Sequence, residues 1–168
     1  DLTPTHTRTL TGHDLLRIKD LDRKDLERIL DIAHSLKSNP RVTAGAFKGQ
    51  TLSMYFNKPS TRTRVSFVAA AHHLGLMPLT LGPDDLQLSR GETIGDTART
   101  LSLYSAAIVI RTFAHSDIEE LAWHADVPVI NALTDEHHPC QAVADVLTMR
   151  EHFGLIDGLR VAFVGDFN

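Results

Sequence analysis

A run of hydroxyl and basic residues, Lys58-Pro59-Ser60-Thr61-Arg62-Thr63-Arg64, stands where a β-prone segment gives way to a helical pattern. The first backbone N–H groups of a helix have no partner inside the helix and carry about half a positive charge, so they attract anions. Hydroxyl groups and a guanidinium beside them add donors that suit phosphate oxygens. The run therefore predicts an anion site, with a helix start and a solvated charge run as the alternative. On either interpretation, Ser60 or Thr61 is expected to cap the helix.

A second arginine, Arg111, follows the apolar run 108–110 and is expected at the carboxyl end of a strand. Ligands of open α/β sheets bind beyond those ends, so Arg111 can face the same crevice as Arg62. A small dianion needs about two positive charges and directed hydrogen bonds to offset its desolvation. The alternative is a surface arginine that pairs with Asp117 or Glu119.

A third cluster, Asp135-Glu136-His137-His138-Pro139-Cys140-Gln141, also lies between a strand and a helix. Proline suits the first turn of a helix, which leaves His138 at the N-cap and Gln141 in the opening turn. A histidine there can donate to a developing oxyanion, and a glutamine amide can both donate to and accept from an amide-like group. The alternative is a helix start with a structural histidine.

Two other chemical interpretations carry less weight. Cys140 is two residues from His138, whereas nucleophilic cysteines meet their histidine across the fold, so a small residue at a helix start is the simpler interpretation. Neither His137-His138 nor His72-His73 has a recognised ligand spacing with a third ligand, and no metal is expected. The polar loop 83–92 is either a functional lid or a mobile segment.

The hydrophobic pattern supplies the scaffold for these clusters. Strands are predicted at 51–56, 77–81, 106–110 and 127–130, and helices at 22–37, 59–74, 93–104, 117–124 and 140–153. Apolar strands that alternate with helices are typical of a parallel sheet whose two faces the helices cover. The predicted fold class is therefore α/β, a three-layer αβα arrangement with a central, mainly parallel sheet.

Size and composition restrict the function classes. The 168 residues suit one domain, or one domain with the edge of a second, and the net charge of −4 argues against nucleic-acid binding. The apolar runs are far shorter than the roughly 20 residues needed to cross a bilayer. One cysteine excludes a disulfide framework and suits a reducing compartment. With no secretory or transit pattern at the N-terminus, a soluble cytoplasmic protein is expected.

The last apolar run, 159–166, is typical of another central strand, but only two residues follow it. A buried strand without a covering helix leaves its apolar face and its ladder partners unaccounted for. We therefore expect residues 1–154 to form one domain. Residues 155–168 are expected to be a linker and the first strand of a second domain, so that the chain is the first part of a longer protein.

Three motifs in this order, Ser60-Thr61-Arg62-Thr63, Arg111-Thr112 and His138-Pro139-Cys140-Gln141, resemble the carbamoyl-phosphate signatures of the aspartate/ornithine carbamoyltransferase family. The resemblance runs from about Leu10 to the C-terminus. The loop 85–92 resembles that of the ornithine enzymes, because it lacks the lysine of the aspartate enzymes. The resemblance therefore implies transfer of a carbamoyl group from carbamoyl phosphate to the side-chain amine of L-ornithine, which gives L-citrulline and phosphate.

The resemblance also implies roles for individual residues. The residues implied to bind carbamoyl phosphate are Ser60, Thr61, Arg62, Thr63, Arg64, Gln87, Arg111, His138 and Gln141. Of these, the implied catalytic set is Arg62, Thr63, Arg111, His138 and Gln141, in which His138 and Thr63 polarise the carbamoyl oxygen and Gln141 orients the amide. Gln87 is implied to reach the phosphate of a neighbouring subunit in a homotrimer or higher oligomer. Neither a metal nor an organic cofactor is implied.

The resemblance stops short of the second substrate. The family's second domain would follow Asn168, so the residues that bind ornithine are unknown, and the turn 165–168 has Phe167 where the family has glycine. Two alternatives remain open within the resemblance: a carbamoyltransferase with another amine acceptor, and a non-catalytic module that binds anions or forms oligomers. A flavodoxin-like nucleotide or signalling domain is a third alternative, although no Gly-x-Gly-x-x-Gly or Walker-type lysine motif follows any strand.

Overall fold

The computed structural model of the chain describes residues 12–40 and 45–165. In these residues the helices are α1 (Arg23–Ser38), α2 (Arg62–Leu74), α3 (Ile94–Tyr104), α4 (His115–His124) and α5 (Pro139–Phe153). The strands are β1 (Thr51–Phe56), β2 (Met77–Leu81), β3 (Ala107–Arg111) and β4 (Val129–Leu133). Two short 3-10 helices lie at Ile18–Asp20 and Leu88–Arg90.

The elements predicted between residues 22 and 153 are confirmed, with small shifts at their ends. β1 and β2 have the predicted bounds. The helices α1 and α3 begin after capping residues, because the Asp22 and Thr93 side chains accept hydrogen bonds from first-turn N–H groups. α2 ends at Gly75, whose φ of +82° and close approach to Gly45 exclude a side chain.

The four strands form one parallel sheet in the order β2-β1-β3-β4. The direction of strand addition reverses between β1 and β3, and the crevice outside the carboxyl ends at such a point is where open α/β sheets bind ligands. Phe56 at the end of β1 pairs with Arg111 at the end of β3. A register shift then places Arg111 opposite Leu133 of β4. The sheet therefore brings the ends of three strands, distant in sequence, to one edge.

Apolar side chains cover both faces of this sheet, which gives the predicted three layers. On one face Ile108 and Ile110 pack with Leu101 of α3 and Leu121 of α4. On the opposite face Val109 packs with residues of β1 and with Ala71 of α2. The alternation along β3 and the burial of its three middle residues, Ile108 to Ile110, are what a central strand with helices on both faces requires. The predicted fold class is confirmed.

The predicted strand at 159–166 is wrong for the part that the structure describes. Residues 159–165 belong to none of the four strands, and the Val164 side chain is 95% exposed. A strand exists through hydrogen bonds to a neighbour, and the paired strands of the described residues are β1 to β4 alone. The remainder of the predicted turn, residues 166–168, and Leu10, where the family resemblance begins, lie outside the described residues. Across residues 12–40 and 45–165, none of the helices is both long and apolar enough to span a bilayer.

Candidate functional site

The loop between β1 and α2 presents the first group of polar side chains. Phe56 ends the buried strand, and α2 begins at Arg62 with Thr61 in the N-cap position. The predicted cap is wrong, because no side chain caps this helix. Thr61 already has helical backbone angles (φ −94°, ψ −60°) instead of the extended ones that capping residues use. The N–H groups of the first turn therefore keep their capacity to bind a ligand.

An open cleft of ≈ 680 Å³ lies beyond the carboxyl ends of β1, β3 and β4. It brings together seven residues singled out from the sequence: Ser60, Thr61, Arg62, Thr63, Arg111, His138 and Gln141. These come from the β1–α2 loop, the end of β3 and the starts of α2 and α5, so only the folded sheet makes them neighbours. The remaining lining residues are Pro59, Ser66, Phe67, Leu133, Cys140 and Ala144.

Arg111 is held at the back of this cleft. Its guanidinium donates to Thr63 Oγ1 at 3.3 Å and to the Pro59 carbonyl at 3.4 Å. Its Nε is buried without a hydrogen-bond partner in the described part of the chain. Burial lowers the pKa of Arg111, and the positive charge of Arg62 lowers it further. The cleft thus holds two cationic side chains that are incompletely compensated, which favours an anion.

The alternative of a surface ion pair for Arg111 is wrong. Asp117 accepts a hydrogen bond from the Thr112 hydroxyl at 3.3 Å, and Glu119 pairs with Arg17. The register of β3 explains this outcome. Arg111 continues the strand and its side chain lines the cleft, whereas the two acids belong to α4.

His138 occupies the N-cap position of α5 and Pro139 follows in its first turn, as predicted. Burial lowers the pKa of His138, the charge of Arg111 lowers it further, and Asp145 opposes the shift. A lowered pKa keeps the imidazole neutral near neutral pH, with one donor nitrogen and one acceptor nitrogen. Gln141 donates from Nε2 to Asp145 Oδ1 at 2.8 Å, which leaves its Oε1 able to accept a hydrogen bond.

The structure does not bring Arg64 or Gln87 into this cleft. The Arg64 guanidinium lies 5.1 Å from the centre of the Phe56 ring, away from the lining residues. Gln87 is exposed and accepts a hydrogen bond from Arg90. Its neighbours Leu86 and Leu88 pack against the apolar core, so the loop that carries Gln87 is anchored on both sides of it. The predicted roles of Arg64 and Gln87 stay predictions.

Two lining residues of α2 were missed from the sequence. Ser66 and Phe67 lie one helical turn after Arg62 and Thr63 and face the same cleft. The spacing of three and four residues along a helix was a usable signal, because such residues share a face. The Ser66 hydroxyl already donates to the Thr63 carbonyl at 3.0 Å, which holds the first turn of α2.

Cys140 is expected to be unreactive in the folded chain. Burial raises the pKa of its thiol to about 11, so at pH 8 only about one thiol in a thousand is ionised. Iodoacetamide should therefore label this sole cysteine much more slowly in the native chain than in guanidinium chloride. Mass spectrometry of timed samples measures both rates. Equal rates would contradict the interpretation of Cys140 as a small packing residue.

Comparisons with known proteins all indicate the same protein family. Residues 13–151 match the family model for "Aspartate/ornithine carbamoyltransferase, carbamoyl-P binding domain". The chain is 53% identical over 166 residues to an ornithine carbamoyltransferase of Bacillus subtilis, covering 97% of this chain and 51% of that protein. It is 52% identical over 159 residues to one of Carboxydothermus hydrogenoformans, covering 94% of this chain and 51% of that protein. The chain thus spans about half the length of the curated relatives it matches.

Solved structures agree with these sequence matches. An ornithine carbamoyltransferase from Pyrococcus furiosus has a TM-score of 0.84 at 49% identity, covering 89% of this chain and 49% of that one. A putative aspartate carbamoyltransferase from Trypanosoma cruzi has a TM-score of 0.86 at 30% identity, covering 94% of this chain and 56% of that one. The two folds are equally similar to this chain, and it is the sequence identity that is higher for the ornithine enzyme.

Proposed function

Because the chain belongs to the aspartate/ornithine carbamoyltransferase family, we propose that its cleft binds carbamoyl phosphate and that the complete enzyme transfers the carbamoyl group to L-ornithine. The products are L-citrulline and phosphate. The observation that carries this proposal is that Arg62 at the start of α2, Arg111 at the end of β3 and His138 at the N-cap of α5 line a single cleft. Residues 1–154 supply the carbamoyl-phosphate half, and residues 155–168 lead into the half that binds ornithine.

The phosphate group occupies the start of α2. The free N–H groups of the first turn, which include that of Thr63, and the hydroxyls of Ser60 and Thr61 donate to its oxygens. Arg62 and Arg111 supply the two positive charges that offset its desolvation. Arg62 has no ion pair with a described carboxylate, and burial already lowers the pKa of Arg111. An anion between the two guanidiniums therefore relieves an existing repulsion.

The carbamoyl group then lies toward His138 and Gln141. The neutral amine attacks the carbonyl carbon, and negative charge develops on the carbonyl oxygen. Thr63, Arg111 and His138 donate hydrogen bonds to that oxygen, which stabilises the transition state more than the ground state. Gln141 accepts through Oε1 from the carbamoyl NH₂. The new C–N bond forms, the C–O bond to phosphate breaks, and phosphate leaves with the proton of the amine.

Two supporting arguments concern partners. The ornithine acceptor is favoured over aspartate because the relatives at 52% and 53% identity are ornithine carbamoyltransferases. A homotrimer or higher homo-oligomer is favoured because Gln87 is exposed and lies outside the cleft of its own chain. A phosphate that Gln87 contacts would therefore belong to a neighbouring subunit.

Calorimetric titration of the chain with carbamoyl phosphate, inorganic phosphate and adenosine monophosphate tests the binding half of the proposal. We expect carbamoyl phosphate to bind more tightly than phosphate, and the mononucleotide not to bind. The chain alone should form little citrulline, because it spans about half the length of the curated relatives it matches. Preferential binding of the mononucleotide, or citrulline formation by the chain alone near the rate of a complete enzyme, would overturn these assignments.

A further inference from the structure

The relative position of Arg111 and His138 is set by the loops that carry them, because no hydrogen bond joins the two side chains. These loops follow β3 and β4 and are joined first through their backbones. Thr112 N–H donates to the Leu133 carbonyl at 3.1 Å, and Asp135 N–H donates to the Phe113 carbonyl at 2.9 Å. The pairing of β3 with β4 thus continues past the register shift at Arg111.

A buried side-chain pair joins the same two loops. His115 begins α4, shortly after Arg111, and Thr134 follows the last residue of β4, just before the His138 turn. They are 3% and 4% exposed, and His115 Nδ1 lies 3.2 Å from Thr134 Oγ1. The His115 ring also meets the His137 ring edge to face, with centroids 4.7 Å apart. None of these three residues lines the cleft.

Thr134 in turn fixes the backbone of His137, the residue before His138. The His137 N–H donates to Thr134 Oγ1 at 3.0 Å, and its carbonyl accepts from the Thr134 N–H at 2.9 Å. The same carbonyl accepts from Asn131 Nδ2 at 3.3 Å. Both backbone groups of His137 are therefore bound inside the protein, and His138 projects from a fixed turn.

The proton positions make this a directed chain of hydrogen bonds. Burial lowers the pKa of His115, Arg17 and His137 lower it further, and Glu119 and Glu136 oppose the shift, so the ring is neutral. Its Nε2 is buried with no partner in the described residues. A buried N–H without an acceptor is rarer than an unused acceptor, which places the proton on Nδ1. His115 then donates to Thr134, whose hydroxyl donates to the His137 carbonyl at 3.3 Å.

We propose that His115, acting through the Thr134 hydroxyl, is a positioning residue that holds His138 at its working distance from Arg111. The inference rests on the proposed function, because it assigns a catalytic effect to the distance between His138 and Arg111. An active site loses rate steeply when a reacting group is misplaced by about 1 Å. A pair that locks two catalytic loops together therefore affects turnover without touching the substrate.

Three substitutions separate positioning from packing. Thr134→Val removes the hydroxyl at constant shape, His115→Phe keeps a ring but removes Nδ1, and Thr134→Ser restores the hydroxyl. In the complete enzyme we expect kcat to fall about 10- to 100-fold in the first two variants and to stay near wild type in the third. KM for carbamoyl phosphate should change less than about threefold. The double variant should be no slower than the slower single variant, because both remove one interaction.

The matched control is Ser105→Ala, which deletes a buried hydroxyl that lies 2.6 Å from Ser53 Oγ. Ser105 precedes β3 and is therefore at the other end of that strand from Arg111. It should lower the melting temperature and leave kcat unchanged. The inference is overturned if Thr134→Val and His115→Phe keep kcat within about twofold of wild type per folded molecule. It is also overturned if Thr134→Ser loses as much rate as Thr134→Val.

A second readout does not depend on turnover. In the chain labelled with ¹³C and ¹⁵N at histidine, Thr134→Val and His115→Phe should both shift the His138 ring signals, and Ser105→Ala should not. If no ornithine carbamoyl transfer is found in the wild-type enzyme, the proposed function fails while these shifts still support the structural coupling. Unchanged His138 signals in both variants would overturn the coupling itself.

Discussion

Replacing Arg62 by alanine is expected to weaken the binding of carbamoyl phosphate to the chain by about 100-fold or more. Each hydrogen bond from a charged group to a phosphate contributes roughly 1.5–3 kcal/mol, and a guanidinium can make two. The loss is larger than for a surface cation, because Arg111 alone cannot neutralise a dianion beside a partly desolvated cleft. Isothermal titration calorimetry at low ionic strength measures the change in Kd.

Arg64→Ala is the matched control for this prediction. It removes the same charge from the same helix, but the Arg64 guanidinium stacks on Phe56 and does not line the cleft. We expect its Kd to stay within about threefold of wild type, the remaining effect being the loss of a long-range attraction that salt screens. Equal losses in the two variants would mean that the region acts only as a basic patch, and the assignment of the cleft would then fail.

Replacing His138 by alanine is expected to lower kcat of the complete enzyme about 100- to 1,000-fold. Removal of one donor to a developing oxyanion typically costs about 3–4 kcal/mol of barrier. KM for carbamoyl phosphate should change little, because the phosphate group is held mainly by the α2 start and the two arginines. Steady-state citrulline formation, with carbamoyl phosphate varied at saturating ornithine, separates the two constants.

Two further variants sharpen the test of His138. His138→Asn keeps a neutral donor and should retain more activity than His138→Ala, since the lowered pKa of His138 means that a neutral imidazole performs the role. His72→Ala removes an exposed histidine of α2 and should leave kcat unchanged. An alanine variant of His138 as active as the His72 variant would exclude it from the transition state.

Much of this fold is encoded locally in the sequence. β1 is a mostly buried β-prone run and β2 is a partly exposed one at the edge of the sheet, and both are predicted with their bounds. Polar capping residues such as Asp22 and Thr93 mark the helix starts. Site residues can also be predicted from the sequence where the order of the elements fixes their place in the fold. The carboxyl ends of parallel strands lie at the same side of a sheet, so residues that follow different strands become neighbours. Hence Arg62 and Arg111 are predicted to face one crevice, and the family resemblance adds His138 to it.

The features that were missed depend on contacts distant in sequence. β4 is two to three residues later than its apolar run suggests, because pairing of Val129 with Ile108 sets its position. The binding role of Arg64 stays a prediction, and the position of its guanidinium over Phe56 follows from the phase of α2, which the local motif does not indicate. The strand predicted at 159–166 requires a second strand to pair with, and an apolar run does not show whether such a strand is present. The His115–Thr134 pair was not predicted, because nothing in either local sequence indicates the other.

The order of the strands determines when the cleft can exist during folding. Its walls come from loops near residues 60, 111 and 138, which become neighbours through the pairing of β1 with β3 and of β3 with β4. Such long-range pairings close late and slowly, because large chain segments must first be ordered. Affinity for a small anion is therefore a property of the assembled sheet alone. A bound anion stabilises the fully paired sheet by mass action and does not stabilise partly paired intermediates. Anion binding therefore shifts the folding equilibrium toward the complete fold.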